Sequence, residues 1–399
     1  MVRMKTQTPT KVGLELELLV TDKDGKVVNK ADEILKHPSN NGALVKESTY
    51  GVVEAVSKPF GTLPELEKDF RSDLLTLENI ANSLGLIAVP ISELSPERSL
   101  VRRTGSPRYQ LNINVLGEEK ANMSNSVLGT HIHVDKQSDV ISQYNLMQSM
   151  DPMFVLLSTS PYLMGKNTLN DCRVNVYRNE IFENFPLQGQ LIDYAKDMNH
   201  IEQLNETRHS QWIERTGKKD MAKEFYHLDD TCWGPIRIRE NTVEVRSADA
   251  NTLSNIMAMA ALFKGVNDYV FKKGRGVRIQ EEKESYGMNE SDIIIPSYSN
   301  LKQMETEGIR YGLKSGNIRD YLSHLINIAN DGLDESERKY LNPFKDMIRT
   351  QENIANVLHH YSRELGAVKG ELLRPEYANQ MTSRMGQIYQ KDLYNAAAN

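Results

Sequence analysis

The chain has 399 residues, 39% hydrophobic and 26% charged, with a formal net charge of −6. That is the composition of a soluble globular protein long enough to bury a sizeable core, and its acidic balance argues against a nucleic-acid partner, which calls for a basic excess. Cys172 and Cys232 form no CxxC pair, the N-terminal MVRMKTQTPT has no apolar stretch behind it, and the most apolar run, IMAMAALF, is far too short to span a bilayer; a cytoplasmic protein with no membrane partner is expected.

In chain order, VGLELELLV at 12–20 alternates apolar and acidic residues and reads as a strand, with Asp24-Gly25 as a turn signal behind it. YGVVEAVSK reads as a second strand. The stretch 62–85 is a helix, with Thr62 at its N-cap, Pro64 in its first turn, Gly85 as its stop, and Leu66, Phe70, Leu74, Leu77, Ala81 and Leu84 on one face. GLIAVPI is a short strand. Residues 93–125 look polar and irregular, LGTHIHVD is a strand, and 141–164 looks helical. NTVEVRSAD is a strand, GRGVRI at 274 a turn, and NTLSNIMAMAALFKGVNDYVF a long apolar helix. DIIIPSYS is the last strand signal, and the tail to 399 is mostly helical. The expected fold is α+β, with an antiparallel or mixed sheet covered by helices on one side. No linker or repeat divides the chain, so 1–399 is expected to be a single domain, sheet-rich over 1–278 and helical over 279–399.

Because side chains alternate along a strand, Glu15 and Glu17 share one face, roughly 6–7 Å apart at Cα. His131 and His133 share a face in GTHIHVD, as do Glu244 and Arg246 in NTVEVRSAD, and Glu54 faces away from Val53 and Ala55. A solvated edge strand explains any one of these. Together they carry Glu, His and Arg rather than the Lys, Thr and Ser of a wet face, and glutamate is a poor strand former. Carboxylates crowded on one sheet face repel unless cations sit between them. Hard cations such as Mg²⁺ or Mn²⁺ take oxygen ligands, and two held side by side would clamp a triphosphate during phosphoryl transfer. Arg237, Arg239 and Arg246, with Arg173 and Arg178 in NDCRVNVYRN, offer planar forks that match phosphate or carboxylate; each alone is also explained by a surface ion pair. No GxxxxGK[ST] loop, dinucleotide fingerprint or GxSxG elbow is present.

The ordered set VGLELELLV, VVEAVSKPFGTLPEL, SPRYQ, GTHIHVD, LSTSPYLMGKNT, FPLQG and WGPIRIRENTVEVRSADA resembles the carboxylate–amine ligases related to glutamate–cysteine ligase, within the glutamine synthetase-like superfamily. The resemblance implies a curved, mostly antiparallel sheet forming a funnel that binds ATP. It places Glu15, Glu17, Glu54, His131 and Glu244 at metal-binding positions, with Glu47 as a further acidic ligand and His133 beside them. Arg237 and Arg246 match phosphate-contacting arginines, with Arg108 and Arg239 also toward the nucleotide, and either Arg173 or Arg178 supplies another. The implied activity is ATP-dependent ligation of a carboxylate, most simply the γ-carboxylate of glutamate, to cysteine or another amine through an acyl phosphate, as in glutathione biosynthesis. A homo-oligomer is compatible with it. The alternatives are a metal-dependent amide hydrolase using the same acidic face, and a catalytically inactive nucleotide-binding relative.

Overall fold

The alternation in VGLELELLV becomes strand β1 (Val12–Thr21). Its Val12, Leu14, Leu16 and Leu18 are at most 1% exposed, facing helices, while the glutamates face the other way. The structure, a computed structural model, describes residues 9–103, 107–168, 170–216, 231, 233–281 and 285–395. After β1 the chain turns at Gly25, where the Asp22 carboxylate accepts the backbone N–H groups of Asp24 (3.0 Å) and Lys26 (2.9 Å). A short helix α1 (Ala31–Leu35) leads to β2 (Leu44–Lys46) and β3 (Val52–Val56). Helix α2 (Leu63–Ser83) buries the predicted stripe from Leu66 to Ala81, and β4 (Ile87–Val89) follows. Thr62 stands at the N-cap but donates to the Glu65 carboxylate (2.6 Å) instead of capping the backbone.

The supposedly irregular stretch 93–125 contains two helices, α3 (Pro107–Leu116) and α4 (Glu118–Ser126), broken at Gly117 with φ +81°. Their sequence shows little apolar period: among their described side chains only a few, including Leu111, Ala121 and Met123, are buried. Strand β5 (Gly129–Asp135) and helix α5 (Val140–Ser149) come next. The helix expected to run to 164 stops early. Pro152 lacks the N–H needed to continue it, and a 3₁₀ turn (Asp151–Leu157) and a hairpin, β6 (Tyr162–Leu163) with β7 (Lys166–Asn167), take its place. The one-turn helix α6 (Arg173–Val176) runs into a π turn (Tyr177–Ile181), followed by α7 (Met198–Thr216).

Strands β8 (Ile236–Ile238) and β9 (Thr242–Asp249) complete a seven-stranded sheet in the order β2-β3-β1-β5-β9-β8, with β4 pairing the end of β1; every pairing in it is antiparallel. Behind its apolar face lies α8 (Leu253–Phe271), whose Ile256, Met259, Ala260 and Phe263 are fully buried. The large ones, Ile256, Met259 and Phe263, each contribute about 1.5–3 kcal/mol. GRGVRI is more than a turn: Gly274 turns at φ +66°, but β10 (Gly276–Ile279) then pairs in parallel with β12 (Asp292–Ile295) in a small sheet that also holds β11 (Gly287–Met288).

The rest is helical: α9 (Tyr298–Tyr311), α10 (Gly316–Gly332), α11 (Asn342–Thr350), α12 (Ile354–Glu364) and α13 (Pro375–Asn395). Helix α10 crosses α8 where both carry glycine; a Cβ on Gly332 would lie 1.9 Å from the Gly265 carbonyl oxygen, so backbone contact fixes the crossing. Among the described residues no helix is long and apolar enough to cross a membrane. A satellite apolar cluster that includes Val127, Tyr177, Phe182, Trp212 and Trp233 forms apart from the main core. It lines, with the sheet's acidic face, the same cleft.

Candidate active site

Sheet register brings the acidic residues together. Glu17 lies directly opposite Glu54 across β1 and β3, and Glu15 opposite His131 across β1 and β5. Across β5 and β9 His133 faces Glu244, and across β8 and β9 Arg237 faces Glu244. Directly opposed residues share a sheet face, so strands far apart in sequence present one continuous polar wall. Between the pairs Thr130–Ala248 and Ile132–Val245 the register shifts, so that Arg246 and Ser247 together stand against His131. Such a bulge bends the strand and re-aims a side chain. This wall forms one side of a cleft of about 540 Å³.

Two triads of donors result, each with ligand atoms within 4.8 Å of one another: Glu15, His131 and Glu244, and Glu17, Glu47 and Glu54. Glu47, which follows β2, comes from outside the strands but completes the second. The donor chemistry fits hard divalent cations, being carboxylate-rich with a single imidazole. The electrostatics fit too. Burial and the charges of Glu47, Glu15, Glu17 and Glu244 push the Glu54 carboxyl up to about 9, and burial with Glu47 pushes Glu17 up to about 7 against the pull of Arg173. Glu15 goes the other way: burial would raise it, but hydrogen bonds and charge from His131 and His133 hold it well below the carboxylate range. Burial also opposes the lowering of Glu244, which Arg246 (3.0 Å) brings about first, and it depresses His131.

His131 Nδ1 lies 2.8 Å from Glu15 Oε2, and its Nε2 lies 2.9 Å from Arg173 Nη2. Guanidinium can only donate, so Nε2 accepts and Nδ1 carries the proton that Glu15 receives. His133 reaches Glu15 Oε1 through Nε2 (3.1 Å) and Thr242 through Nδ1 (3.2 Å). It belongs to neither triad but stands at the edge of the first: it pairs with Gly13, two residues before Glu15, and holds that carboxylate through Nε2.

Of the two rival arginines, only Arg173 lines the cleft. Its Nη1 is 3.8 Å from Glu17, its Nε donates to the Arg246 carbonyl (2.7 Å), and its backbone N–H donates to Asp249 Oδ1 (2.9 Å). Gly129 makes room for it, since a Cβ there would sit 2.4 Å from the guanidinium, and the Gly129 N–H donates to Glu17 (2.6 Å). Arg178, the competing candidate, is withdrawn from the cleft. Its side chain is 0% exposed, bonded to Asp151 (2.9 Å) and Glu305 (3.0 Å), because the π turn swings it to the other side of the segment. Arg237 and Arg246 line the cleft, and Arg239 stands at its rim, 45% exposed and 4.0 Å from Glu244. Arg108 falls within α3, but its side chain lies outside the described residues, as does Cys232.

Sequence reasoning missed Asp249, which anchors the backbone of Arg173, Thr159 and Ser160, and the aromatic lining from Tyr177, Phe182, Trp212 and Trp233. Asp249 was visible only as the last residue of VEVRSAD, and the aromatics belong to segments without period.

Residues 11–381 match the sequence model of glutamate–cysteine ligase family 2. A search among the curated proteins finds no match. Among solved structures, a glutamate–cysteine ligase from Francisella tularensis in complex with AMP superposes with a TM-score of 0.61 at 12% identity, over 98% of this chain and 91% of that one. A bifunctional glutathione synthetase from Pasteurella multocida superposes with a TM-score of 0.57 at 13% identity; the match takes in 96% of this chain but only 53% of that one.

Proposed function

The chain belongs to glutamate–cysteine ligase family 2 and is an ATP-dependent carboxylate–amine ligase, and from its site we infer that it joins the γ-carboxylate of glutamate to an amine. The carrying observation is the pair of triads side by side on one sheet face. Glu15, His131 and Glu244 would hold one Mg²⁺ or Mn²⁺, and Glu17, Glu47 and Glu54 another; such ions supply charge neutralisation for a transferring phosphoryl group. Around them the chain's own groups position and stabilise. Arg173, Arg237 and Arg246 line the same cleft and present donors to phosphate oxygens, where preorganised positive charge is worth most. Glu15 stays ionised through hydrogen bonds and charge from its two histidines, so its own carboxylate has no proton to shed when a cation arrives.

In the reaction a carboxylate oxygen of the substrate attacks the terminal phosphorus of ATP, and the bond to ADP breaks. The amine nitrogen then attacks the acyl carbon, phosphate leaves, and the nitrogen gives up a proton. Positioning and electrostatics suffice, and no covalent enzyme nucleophile is required. The described chain acts as one catalytic unit on small-molecule substrates in a reducing cytoplasm, without nucleic acid. The test is incubation with ATP, Mg²⁺, glutamate and a panel of amines including cysteine, following ADP and the product mass. ADP formed only with a matched amine supports ligation. Amide cleavage without ATP would instead establish a metal-dependent hydrolase, and ATP binding without turnover an inactive relative.

A further inference from the structure

Beyond Arg173 the lining of the cleft turns aromatic. Tyr177 and Trp233 stack with ring centroids 4.2 Å apart, Phe182 packs beside them, and Trp212 meets Phe182 edge-on at 6.3 Å. The tryptophans are 4% and 8% exposed, and among the described residues neither indole N–H meets an acceptor. A buried donor left unmade is costly, and native proteins keep few of them. Two together, in rings that line a binding cleft, point to oxygen acceptors brought by a ligand. The rings also define the ligand's body, because ligand sites pair an apolar wall with a few placed polar groups. Ammonia offers neither feature and cysteine no flat face.

The position selects which substrate this is. The Arg173 guanidinium lies 5.8 Å from the Trp233 ring and 3.8 Å from Glu17, so the aromatic wall begins one side chain away from the acidic cluster. An adenine ring stands farther off, separated from the reacting phosphorus by the ribose and the other phosphates. The incoming amine must come within bonding distance of the activated carboxylate. We propose that Trp212, Trp233, Tyr177 and Phe182 form the amine subsite, and that it takes an amino acid with a flat apolar side chain, its carboxylate accepting from the indole N–H groups. This rests on the ligase reading for the reaction but not for the binding.

The chain has two tryptophans, and both are in this wall, so emission excited at the tryptophan edge reports on the subsite alone. Wild-type protein with Mg²⁺ is titrated separately with L-phenylalanine, L-tyrosine, L-alanine, L-cysteine, ammonium chloride and ATP. The aromatic amino acids are expected to shift the emission saturably, at concentrations about tenfold below those needed by alanine or cysteine, the margin of one well-covered ring. Trp233→Phe and Trp212→Phe keep the ring and delete the N–H; each is expected to raise KM for the aromatic amine about ten- to a hundredfold, as for one hydrogen bond to an ionised carboxylate, with KM for ATP moved less than twofold. A protein that binds phenylalanine yet forms no ADP with any amine would defeat the ligase reading and leave the subsite standing. Cysteine or ammonium titrating as well as the aromatics, no amine shifting the emission, or ATP being the ligand that shifts it, which would give the wall to adenine, would overturn the proposal.

Discussion

Replacing Arg178 with methionine separates a structural arginine from a catalytic one. Its guanidinium is sealed from solvent between Asp151, at 2.9 and 3.1 Å, and Glu305, at 3.0 Å, and its Nε donates to the Gly189 carbonyl. The two carboxylates differ in what remains to them. Among the described residues Asp151 keeps the Ser247 hydroxyl alone, whereas Glu305 still has Lys302 at 2.9 Å. Methionine fills much of the volume but leaves Asp151 buried and uncompensated, and stripping one partner from a buried pair costs about 3–5 kcal/mol. Against a total stability of about 5–15 kcal/mol that is a large share. Arg178→Met should therefore lower the urea midpoint sharply, while the folded fraction, assayed at low temperature for ADP release, keeps KM for ATP. Adding Asp151→Asn should recover part of the loss, since removing both charges costs less than orphaning one. If Arg178→Met melts like the wild type yet loses turnover, the guanidinium reaches a phosphate and the assignment of that role to Arg173 is wrong.

Glu54→Gln should stabilise the metal-free protein at pH 7 by about 3 kcal/mol, because a carboxyl displaced from 4.5 to about 9 costs the fold that much there. The stability that a raised group provides is complete below 4.5 and is lost as pH rises through 9, so the variant's advantage should grow across that window; the same change should weaken Mg²⁺ binding by calorimetry at least tenfold. Gly129→Ala drives a Cβ to within 2.4 Å of the Arg173 guanidinium and should cut kcat by an order of magnitude or more, with a stability loss of only about 1–3 kcal/mol by thermal melting. Asp171 is pushed well above its ordinary 3.8 by burial and by neighbouring Asp249. Its contribution is present below that value and lost at higher pH, so Asp171→Asn should match the wild type in denaturation near pH 4 and become the more stable of the two as pH rises; a gap that closes with pH would refute this.

The alternation in VGLELELLV, THIHV and TVEVRS determined by itself which side chains leave the core, because strand geometry sends alternate residues to opposite faces whatever the neighbours are. The same local logic marked α2 and α8, whose apolar residues recur at helical spacing. It failed where local pattern is weak: α3 and α4 bury too few side chains to print a period, and Pro152 ended a helix that hydrophobicity alone would have prolonged. Pairing was beyond it. Nothing within THIHV says that His131 lies opposite Glu15, 116 positions earlier, rather than some other strand residue, and only the closed sheet sets that register. The choice between Arg173 and Arg178 was likewise tertiary. Five residues apart in one short segment, they are separated by a π turn and by the steric opening at Gly129, so one guanidinium meets the acidic wall and the other is locked between buried carboxylates. Sequence fixes what each residue can offer because that is local chemistry; which groups meet depends on long-range contacts that form only when the whole core packs.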